Sequence, residues 1–317
     1  MSQDRGGRAR DGKIGLTMDK VEFTPPRPSF PSFDPIVAHV RSLSYFDCRV
    51  FLAKRVKQYP HFQYKYKVLP SERSNPQVRY LRDLLLESRL WLSSPRDFND
   101  PFDMTARVIF EGAPHELHQR FKQLIADKSG LPRKQRKEVL KNFTERKREE
   151  WRGAAEKALT KNMSETGICS FAGDPRSVLM WSHYGNHHTG VCLQFEIARD
   201  PKILLEAVPL KYVENYPVFN WVKDTGLQMR DLLLHKFKDW KYEGEWRIIR
   251  PNGARSYMPF DASALVGLIY GCRAQEAAME IVKEMLNERQ TRGLPPVREY
   301  RAEKHGSQYA LTIRVIE

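Results

Sequence analysis

The apolar and polar positions along the chain predict a mixture of short strands and helices. Apolar residues that alternate with polar ones, or that form short runs, are typical of strands, whereas a spacing of three to four residues is typical of helices. The predicted strands cover 62–70, 89–95, 167–172, 190–197, 207–213, 240–251, 264–271, 297–303 and 309–317. The predicted helices cover 36–57 (one helix or two short ones), 75–87, 176–184, 225–238 and 274–290. Because strands and helices do not alternate regularly, the pattern indicates an α+β fold with a mixed or antiparallel sheet.

Two of these elements carry finer expectations. Asp174 and Pro175 stand where an N-cap and a first helical residue are expected, so they predict the start of the 176–184 helix. In the last strand the apolar residues alternate, and the predicted inward positions are Tyr309, Leu311, Ile313 and Val315.

The domain organisation follows from shifts in composition. Residues 1–34 combine a glycine pair, many charges and a proline cluster, which predicts a disordered tail. Residues 35–317 are predicted to form a single α+β domain with a helical insertion at about 112–163. Within it, residues 131–161 hold eleven Lys and Arg against five Glu at helical spacing. That stretch is either a solvated amphipathic helix or a basic surface for a nucleic acid or an acidic partner.

Charge and cysteine usage narrow the class of protein. The chain has a net charge of +14 and a pI near 9.6. Such a basic surface attracts polyanions such as nucleic acids and phosphorylated cofactors. No apolar run approaches the length of a membrane-spanning helix, and the first residues lack the apolar region of a secretion signal. Four cysteines without a CxxC pair suit a reducing compartment. We therefore expect a cytoplasmic protein without a membrane partner.

The segment WKYEGEWRIIRP, residues 240–251, holds an unusual pair of carboxylates. On a strand, Glu243 and Glu245 would project from one face about 7 Å apart, beside Lys241 and Arg247. One interpretation is a charge ladder exposed to solvent. The other is a catalytic pair at the mouth of a pocket, where Gly244 lets a ligand approach closely. Glycosyl transfer uses such carboxylates to stabilise an oxocarbenium ion and to activate the nucleophile.

The segment SVLMWSHYGNHHTG, residues 177–190, is a candidate pocket wall. Trp181 and Tyr184 either offer ring faces to a planar ligand or pack into a core. His183 and His187 have the i, i+4 spacing of zinc ligands, but no further ligand stands at a familiar offset, so no metal site is predicted.

Two further segments complete the candidate chemistry. NDPFD, residues 99–103, predicts a turn anchored by Phe98 and Phe102, in which Asn99 or Asp100 faces either solvent or a ligand. In the strand segment YKY, residues 64–66, Lys65 is either an exposed edge lysine or a contact for a phosphate or a ribose.

Taken together and in order, these pieces resemble a known family. The matching segments are QYKYK, RLWLSSPRDFNDPFD, CSFAGDPRSVLMWSHYGNHHTGVCLQFE and KYEGEWRII, which span residues 62–249. On their joint occurrence the chain is identified as similar to the DUF2971 family of bacterial proteins.

A more distant resemblance concerns the reaction. The layout is similar to that of ADP-ribosyltransferases, which place three strand motifs around NAD: a first strand with His or Arg, a middle strand with Ser or Tyr, and a late strand with Glu, often as ExE. The corresponding residues here are Lys65, Ser170 and Glu245, and Lys65 departs from the family pattern. The resemblance implies a split sheet around an NAD site.

It also implies a role for each candidate residue. Glu245 would accept a hydrogen bond from the nicotinamide ribose and stabilise the oxocarbenium ion, and Glu243 would position the acceptor. Ser170 would brace Glu245. The NAD-binding set that the resemblance implies is Lys65, Tyr64, Ser170, Trp181, Tyr184 and Asn99. The expected function is an NAD-consuming transferase or glycohydrolase, such as a toxin or a phage-defence effector. The alternatives are a nucleic-acid-binding or nuclease-type protein acting through 131–161, and a non-catalytic interaction module.

Overall fold

The fold is given by a computed structural model that describes residues 39–55, 59–109, 111–119, 160–161, 163–223 and 231–316. The predicted tail over 1–34 and residues 131–159 of the predicted basic helix lie outside the described residues. The single domain with its insertion therefore stays a prediction. No helix in the described ranges is both long and apolar enough to cross a membrane.

The described chain is α+β, as the apolar pattern predicted. The α-helices are α1 (Tyr45–Lys54), α2 (Gln77–Leu85), α3 (Val178–His183), α4 (Pro201–Leu204) and α5 (Glu276–Thr291). The strands are β1 (Phe62–Lys67), β2 (Arg89–Leu92), β3 (Arg107–Ile109), β4 (Gly167–Phe171), β5 (Val191–Glu196), β6 (Val208–Pro209), β7 (Lys211–Val213), β8 (Val218–Asn220), β9 (His235–Phe237), β10 (Trp246–Arg250), β11 (Ser256–Pro259), β12 (Leu265–Tyr270), β13 (Arg298–Lys304) and β14 (Leu311–Val315). Short 3-10 helices cover Pro95–Asp97, Ile197–Arg199, Lys238–Glu243 and Ala262–Ala264.

Two sheets organise these strands. The larger has the order β1–β5–β12–β13–β14 and is antiparallel except for the parallel pair β12–β13. The smaller has the antiparallel order β4–β10–β6. The pairs β2–β11, β3–β8 and β7–β9 flank them. The sheets meet where Tyr64 of β1 exchanges backbone hydrogen bonds of 3.0 and 2.7 Å with Ala172, directly after β4.

The main core lies where α2 and α5 pack with strands of both sheets. Wholly buried side chains include Leu85 of α2, Val282 of α5, Leu193 of β5, Leu268 of β12 and Ile248 of β10. Each such side chain stabilises the fold by roughly 1.5–3 kcal/mol relative to an exposed one. This core includes side chains of β4 and β10, whereas Tyr64 and Tyr66 of β1 pack in a second cluster with Trp181. All three strands carry candidate residues.

Several predicted elements differ from the observed ones. The single strand over 207–213 is instead β6 and β7, which lie in different sheets because Leu210 pairs with Glu245 and Lys211 with Leu234. The helix over 225–238 is wrong at its end, where β9 stands, and 224–230 lie outside the described residues. Leu232 and Leu234 are buried in two separate hydrophobic clusters, so these leucines do not form one apolar face of a helix.

Two finer expectations are also corrected. Ser177, not Asp174, caps α3: its hydroxyl accepts a hydrogen bond from the Met180 backbone N–H at 3.3 Å, whereas Asp174 accepts from Arg176. In β14 the edge position of the strand leaves Val315 41% exposed, and Tyr309 before it is fully exposed. Leu311 is buried as predicted.

The loop after α3 packs backbone to backbone against the end of β12. Gly271 donates to the Gly190 carbonyl at 2.9 Å, and a Cβ at Gly271 would lie 2.1 Å from the His188 carbonyl oxygen. We expect Gly271→Ala to lower the free energy of unfolding by about 1–3 kcal/mol, because the backbone must move apart. Urea unfolding measures the loss. Gly306→Ala is the control, since a Cβ there meets nothing within 4 Å; equal stability of the two variants would contradict this close approach.

Candidate active site

The Glu243–Glu245 segment is a break in the chain and not part of a strand. The 3-10 helix over Lys238–Glu243 ends at Gly244, which has the left-handed φ of +52° that glycine adopts most easily. Strand β10 begins only at Trp246, so the predicted strand is wrong over 240–245. Glu243 and Glu245 are nevertheless both buried, at 4% and 5% exposure. They are therefore not a charge ladder exposed to solvent.

A cavity of about 400 Å³ opens beside this segment, between β1, β4 and α3. Of the residues predicted from the sequence, the cavity is lined by Tyr64, Lys65, Asn99, Ser170, Tyr184, Glu243 and Glu245. Phe98 and His183 add further rings to its wall. Segments that are far apart in the chain thus bring the predicted set to one concave site.

Trp181 is the predicted residue that does not reach this cavity. Its side chain is wholly buried, its Nε1–H donates to the Pro175 carbonyl at 2.7 Å, and its ring meets Tyr66 edge-on at 5.1 Å. The ring is therefore part of the core behind the wall and cannot stack on a ligand. Tyr66 itself lines the cavity.

Two buried cations hold the acidic residues of the site. Lys236 of β9 places its Nζ 2.5 Å from Glu243, 3.1 Å from Glu245 and 3.5 Å from Asp103. Arg247 of β10 donates to Glu245 at 2.7 Å and to Asp103 at 2.5 Å. All five side chains are nearly inaccessible to solvent. We call these five residues the charge cluster; it contains three carboxylates and two cations.

The two glutamates differ in how many hydrogen bonds they already accept. A carboxylate has about four acceptor positions. Glu245 accepts two bonds from Arg247 and one from Lys236, so three of its positions are occupied. Glu243 accepts from the Tyr184 hydroxyl at 2.6 Å and from Lys236 at 2.5 Å. Glu243 therefore keeps about two positions for a ligand or a proton.

The pKa values of Glu243 and Glu245 are shifted in opposite directions, in agreement with the number of donors around each carboxylate. Burial and the neighbouring Glu245 carboxylate raise the pKa of Glu243 to about 7. Burial alone would also raise the pKa of Glu245, but Arg247 and Lys236 outweigh it and hold that pKa well below its usual range. Glu245 is thus permanently ionised, whereas Glu243 exchanges its proton near neutral pH. Two carboxylates with separated pKa values are typical of acid–base sites.

Lys65 supplies a cation with neutral contacts at the opposite wall. Its Nζ donates to the Ser170 carbonyl at 2.8 Å, lies 3.4 Å from the Cys169 sulfur, and sits over the Phe171 ring. The contacts of the Lys65 Nζ among the described residues are with neutral groups. The lysine is therefore available to an anionic group of a ligand.

The NDPFD turn contributes Asn99 to the cavity wall, next to Phe98. The Asp100 carboxylate accepts from the Phe102 backbone N–H at 2.9 Å, which confirms the predicted turn. Asn99 and Tyr184 both line the cavity, and the Tyr184 hydroxyl donates to Glu243. Phe98 packs below Arg247, but Phe102 is 64% exposed, so the predicted anchoring by both rings is wrong for Phe102.

Sequence reasoning missed three members of the charge cluster. Asp103 is the last residue of NDPFD and was considered only as part of the turn. Arg247 was considered only as a neighbour of the two glutamates on a strand face. Lys236 fell inside a predicted helix, and nothing in the local pattern marks it as buried. The spacing of Arg247 two residues after Glu245 was the one usable signal.

A comparison with known proteins bears on the same segment. A family model described as "Protein of unknown function (DUF2971)" matches residues 180–248, a range that contains the last four residues of α3, Lys236 and the Glu243–Arg247 stretch. No curated protein and no solved structure matches the chain. The resemblance to ADP-ribosyltransferases receives no support from these comparisons. The family match does support the DUF2971 family to which the sequence motifs pointed.

Proposed function

We propose that this chain is an enzyme that cleaves the bond between nicotinamide and ribose in an NAD-like dinucleotide, as a transferase or a glycohydrolase. The observation that carries the proposal is the buried Glu243 carboxylate, which faces the cavity with acceptor positions to spare and a pKa of about 7. A pocket of this size, with few polar groups among rings, is typical of small-molecule sites of about 300–1000 Å³.

The charge cluster suits a reaction that develops positive charge. Departure of nicotinamide leaves an oxocarbenium-like ribose, which a nearby anion stabilises. When Glu243 is ionised the cluster holds three carboxylates against Lys236 and Arg247, so one negative charge is in excess. That excess lies on the member with the weakest cationic pairing, which is Glu243.

The hydrogen bonds change the roles expected of the two glutamates. Glu245 was expected to meet the ribose, but Arg247 and Lys236 already occupy three of its acceptor positions. In this proposal Glu245 positions Lys236, and Glu243 is the catalytic residue. Glu243 in its ionised form accepts a hydrogen bond from the ribose or takes the proton of the attacking hydroxyl or water.

The remaining wall suits the rest of the ligand. Tyr184 and Phe98 present rings beside Glu243, where a flat nicotinamide can stack. Lys65 has neutral contacts and can meet a phosphate oxygen. A cavity of about 400 Å³ accommodates one nucleoside end of a dinucleotide, so the other end would extend out of it.

Incubation with NAD tests the proposal by measuring released nicotinamide. We expect Glu243→Gln to lower turnover by about 10²–10⁴-fold, because the variant can neither take a proton nor carry the negative charge. Glu303→Gln is the control, since Glu303 is an exposed glutamate of β13 paired with Arg314. A folded wild-type protein that releases no nicotinamide, or an E243Q variant with wild-type turnover, overturns the proposal.

The competing functions stay predictions. Nucleic-acid binding through 131–161 depends on a stretch of which 131–159 lie outside the described residues. A role as a toxin or a phage-defence effector stays a prediction, and so does the non-catalytic interaction module.

A further inference from the structure

The cavity of the candidate active site has an anionic side and a cationic side. Strand β10 pairs with β4, and β4 meets β1 where Tyr64 bridges to Ala172. Lys65 belongs to β1, whereas Glu243 lies just before β10. The two side chains therefore line the cavity from opposite sides of β4.

The charges on the two sides do not cancel locally. When Glu243 is ionised, the charge cluster holds three carboxylates against two cations and keeps one negative charge in excess. On the other side, the contacts of the Lys65 Nζ are with neutral groups of β4. Asp97 also lines the cavity, but Arg255 neutralises it at 2.7 Å. Among the described lining residues, one excess anion thus faces one cation.

A nicotinamide mononucleotide has the same arrangement of charges. Its pyridinium ring, and the oxocarbenium ion that forms when this ring departs, are positive. Its 5′-phosphate, on the other side of the same ribose, is negative. The adenylate half of a dinucleotide has a neutral base, which would leave the excess charge at Glu243 unmatched. The cavity volume of about 400 Å³ also lies near the lower end of the range for small-molecule sites.

We infer that the site recognises only the nicotinamide mononucleotide half of its substrate, with Lys65 bound to the phosphate next to the nicotinamide ribose; this inference rests on the proposed function. The adenylate half lies outside the cavity and makes no contact that turnover requires. The free mononucleotide is therefore itself a substrate, and Lys65 determines the specificity for a phosphate.

The hydrolysis of the mononucleotide balances without a further reactant. The bond between C1′ and the pyridinium nitrogen breaks, and its electron pair leaves with neutral nicotinamide. A water oxygen forms the new bond to C1′, and one water proton passes to Glu243 and then to solvent. The products are nicotinamide, ribose 5-phosphate and one proton. Because the phosphate takes no part in these bond changes, Lys65 acts on recognition and not on the chemical step.

The test compares three substrates with the full chain, by measuring nicotinamide released from NAD, from nicotinamide mononucleotide and from nicotinamide riboside. We expect kcat/KM for the mononucleotide to lie within about tenfold of that for NAD. The riboside lacks the phosphate, so its kcat/KM should be at least about tenfold lower than that of the mononucleotide, as expected for one lost hydrogen bond to a charged group.

Variants of Lys65 assign this difference to one side chain. Lys65→Met should lower kcat/KM for the mononucleotide by about 10–100-fold, mainly through KM, and bring the ratio of mononucleotide to riboside toward one. Lys65→Arg keeps the charge and should restore most of the ratio. Lys304→Met is the control, because Lys304 is an exposed lysine of β13 outside the cavity; its ratio should equal that of wild type.

The possible failures are distinguishable. If no nicotinamide is released from any of the three substrates, the proposed function is wrong and the inference falls with it. Release from NAD that exceeds release from the mononucleotide by more than about tenfold in kcat/KM leaves the proposed function standing and overturns the inference alone. A Lys65→Met variant that loses as much on the riboside as on the mononucleotide also overturns it, since a purely structural lysine gives that result. Thermal unfolding verifies that each variant folds.

Discussion

Replacing Arg247 with methionine should lower the free energy of unfolding by about 3–5 kcal/mol. The Arg247 side chain is wholly buried and donates to Glu245, Asp103 and the Leu233 carbonyl. Methionine fills much of the same space but leaves three carboxylates facing Lys236 alone. Because water does not reach them, the uncompensated negative charge must be borne inside the protein or removed by protonation. Urea unfolding at about neutral pH measures the loss, which should shrink as the carboxylates protonate in acid.

A neighbour on the same strand provides the control. Arg250 of β10 also pairs with a glutamate, Glu206, but 32% of its side chain is exposed. Arg250→Met should therefore cost less than about 1 kcal/mol, as exposed pairs do. Arg247→Lys should fall between the two, since lysine keeps the charge but loses the forked donors. An Arg247→Met variant as stable as Arg250→Met would show that the charge cluster does not hold this part of the fold.

The sequence pattern predicts the regular core well because burial there is local. All six residues of β5 are buried, including the polar Gln194 and Glu196, and the four apolar residues among them were sufficient to place the strand. Helix α5 has a clear helical spacing and was placed within two residues at its start. The pattern failed where neighbouring apolar residues serve different partners, as at Leu232 and Leu234 before β9. Such divided contacts are a property of the tertiary structure and leave no period in the sequence.

The candidate site was predictable in its members but not in its electrostatics. Glu243, Glu245, Lys65 and Ser170 stand in or beside predicted strands, so their gathering followed from the motifs. Lys236 could not be found in this way. One of its carboxylate partners, Asp103, is distant in the chain, and a buried lysine needs such partners to balance its charge. Nor could spacing decide which glutamate reacts. That distinction depends on the donors around each carboxylate. In the same way, the sequence could not show whether the Trp181 ring faces the cavity or the core.

Raising the pH should make Glu243→Gln progressively more stable than wild type. Burial and Glu245 raise the folded pKa of Glu243 to about 7 from an ordinary value of 4.5. The folded chain therefore holds this proton more tightly than the unfolded chain. The contribution of this proton to wild-type stability is fully present below about pH 4.5 and is lost as the pH rises toward 7. The loss is on the order of 3 kcal/mol, at about 1.4 kcal/mol for each pKa unit.

Glutamine at 243 keeps the shape but cannot ionise, so it preserves the balance of two anions with Lys236 and Arg247 at every pH. The difference between variant and wild type should grow from about pH 4.5 and level off above about 7, as followed by urea unfolding across this range. Glu303→Gln should show no such trend, and a difference independent of pH would contradict the raised pKa. The same substitution is expected to lower NAD turnover by about 10²–10⁴-fold. A carboxylate whose removal stabilises the protein while impairing its activity is kept for chemistry and not for folding.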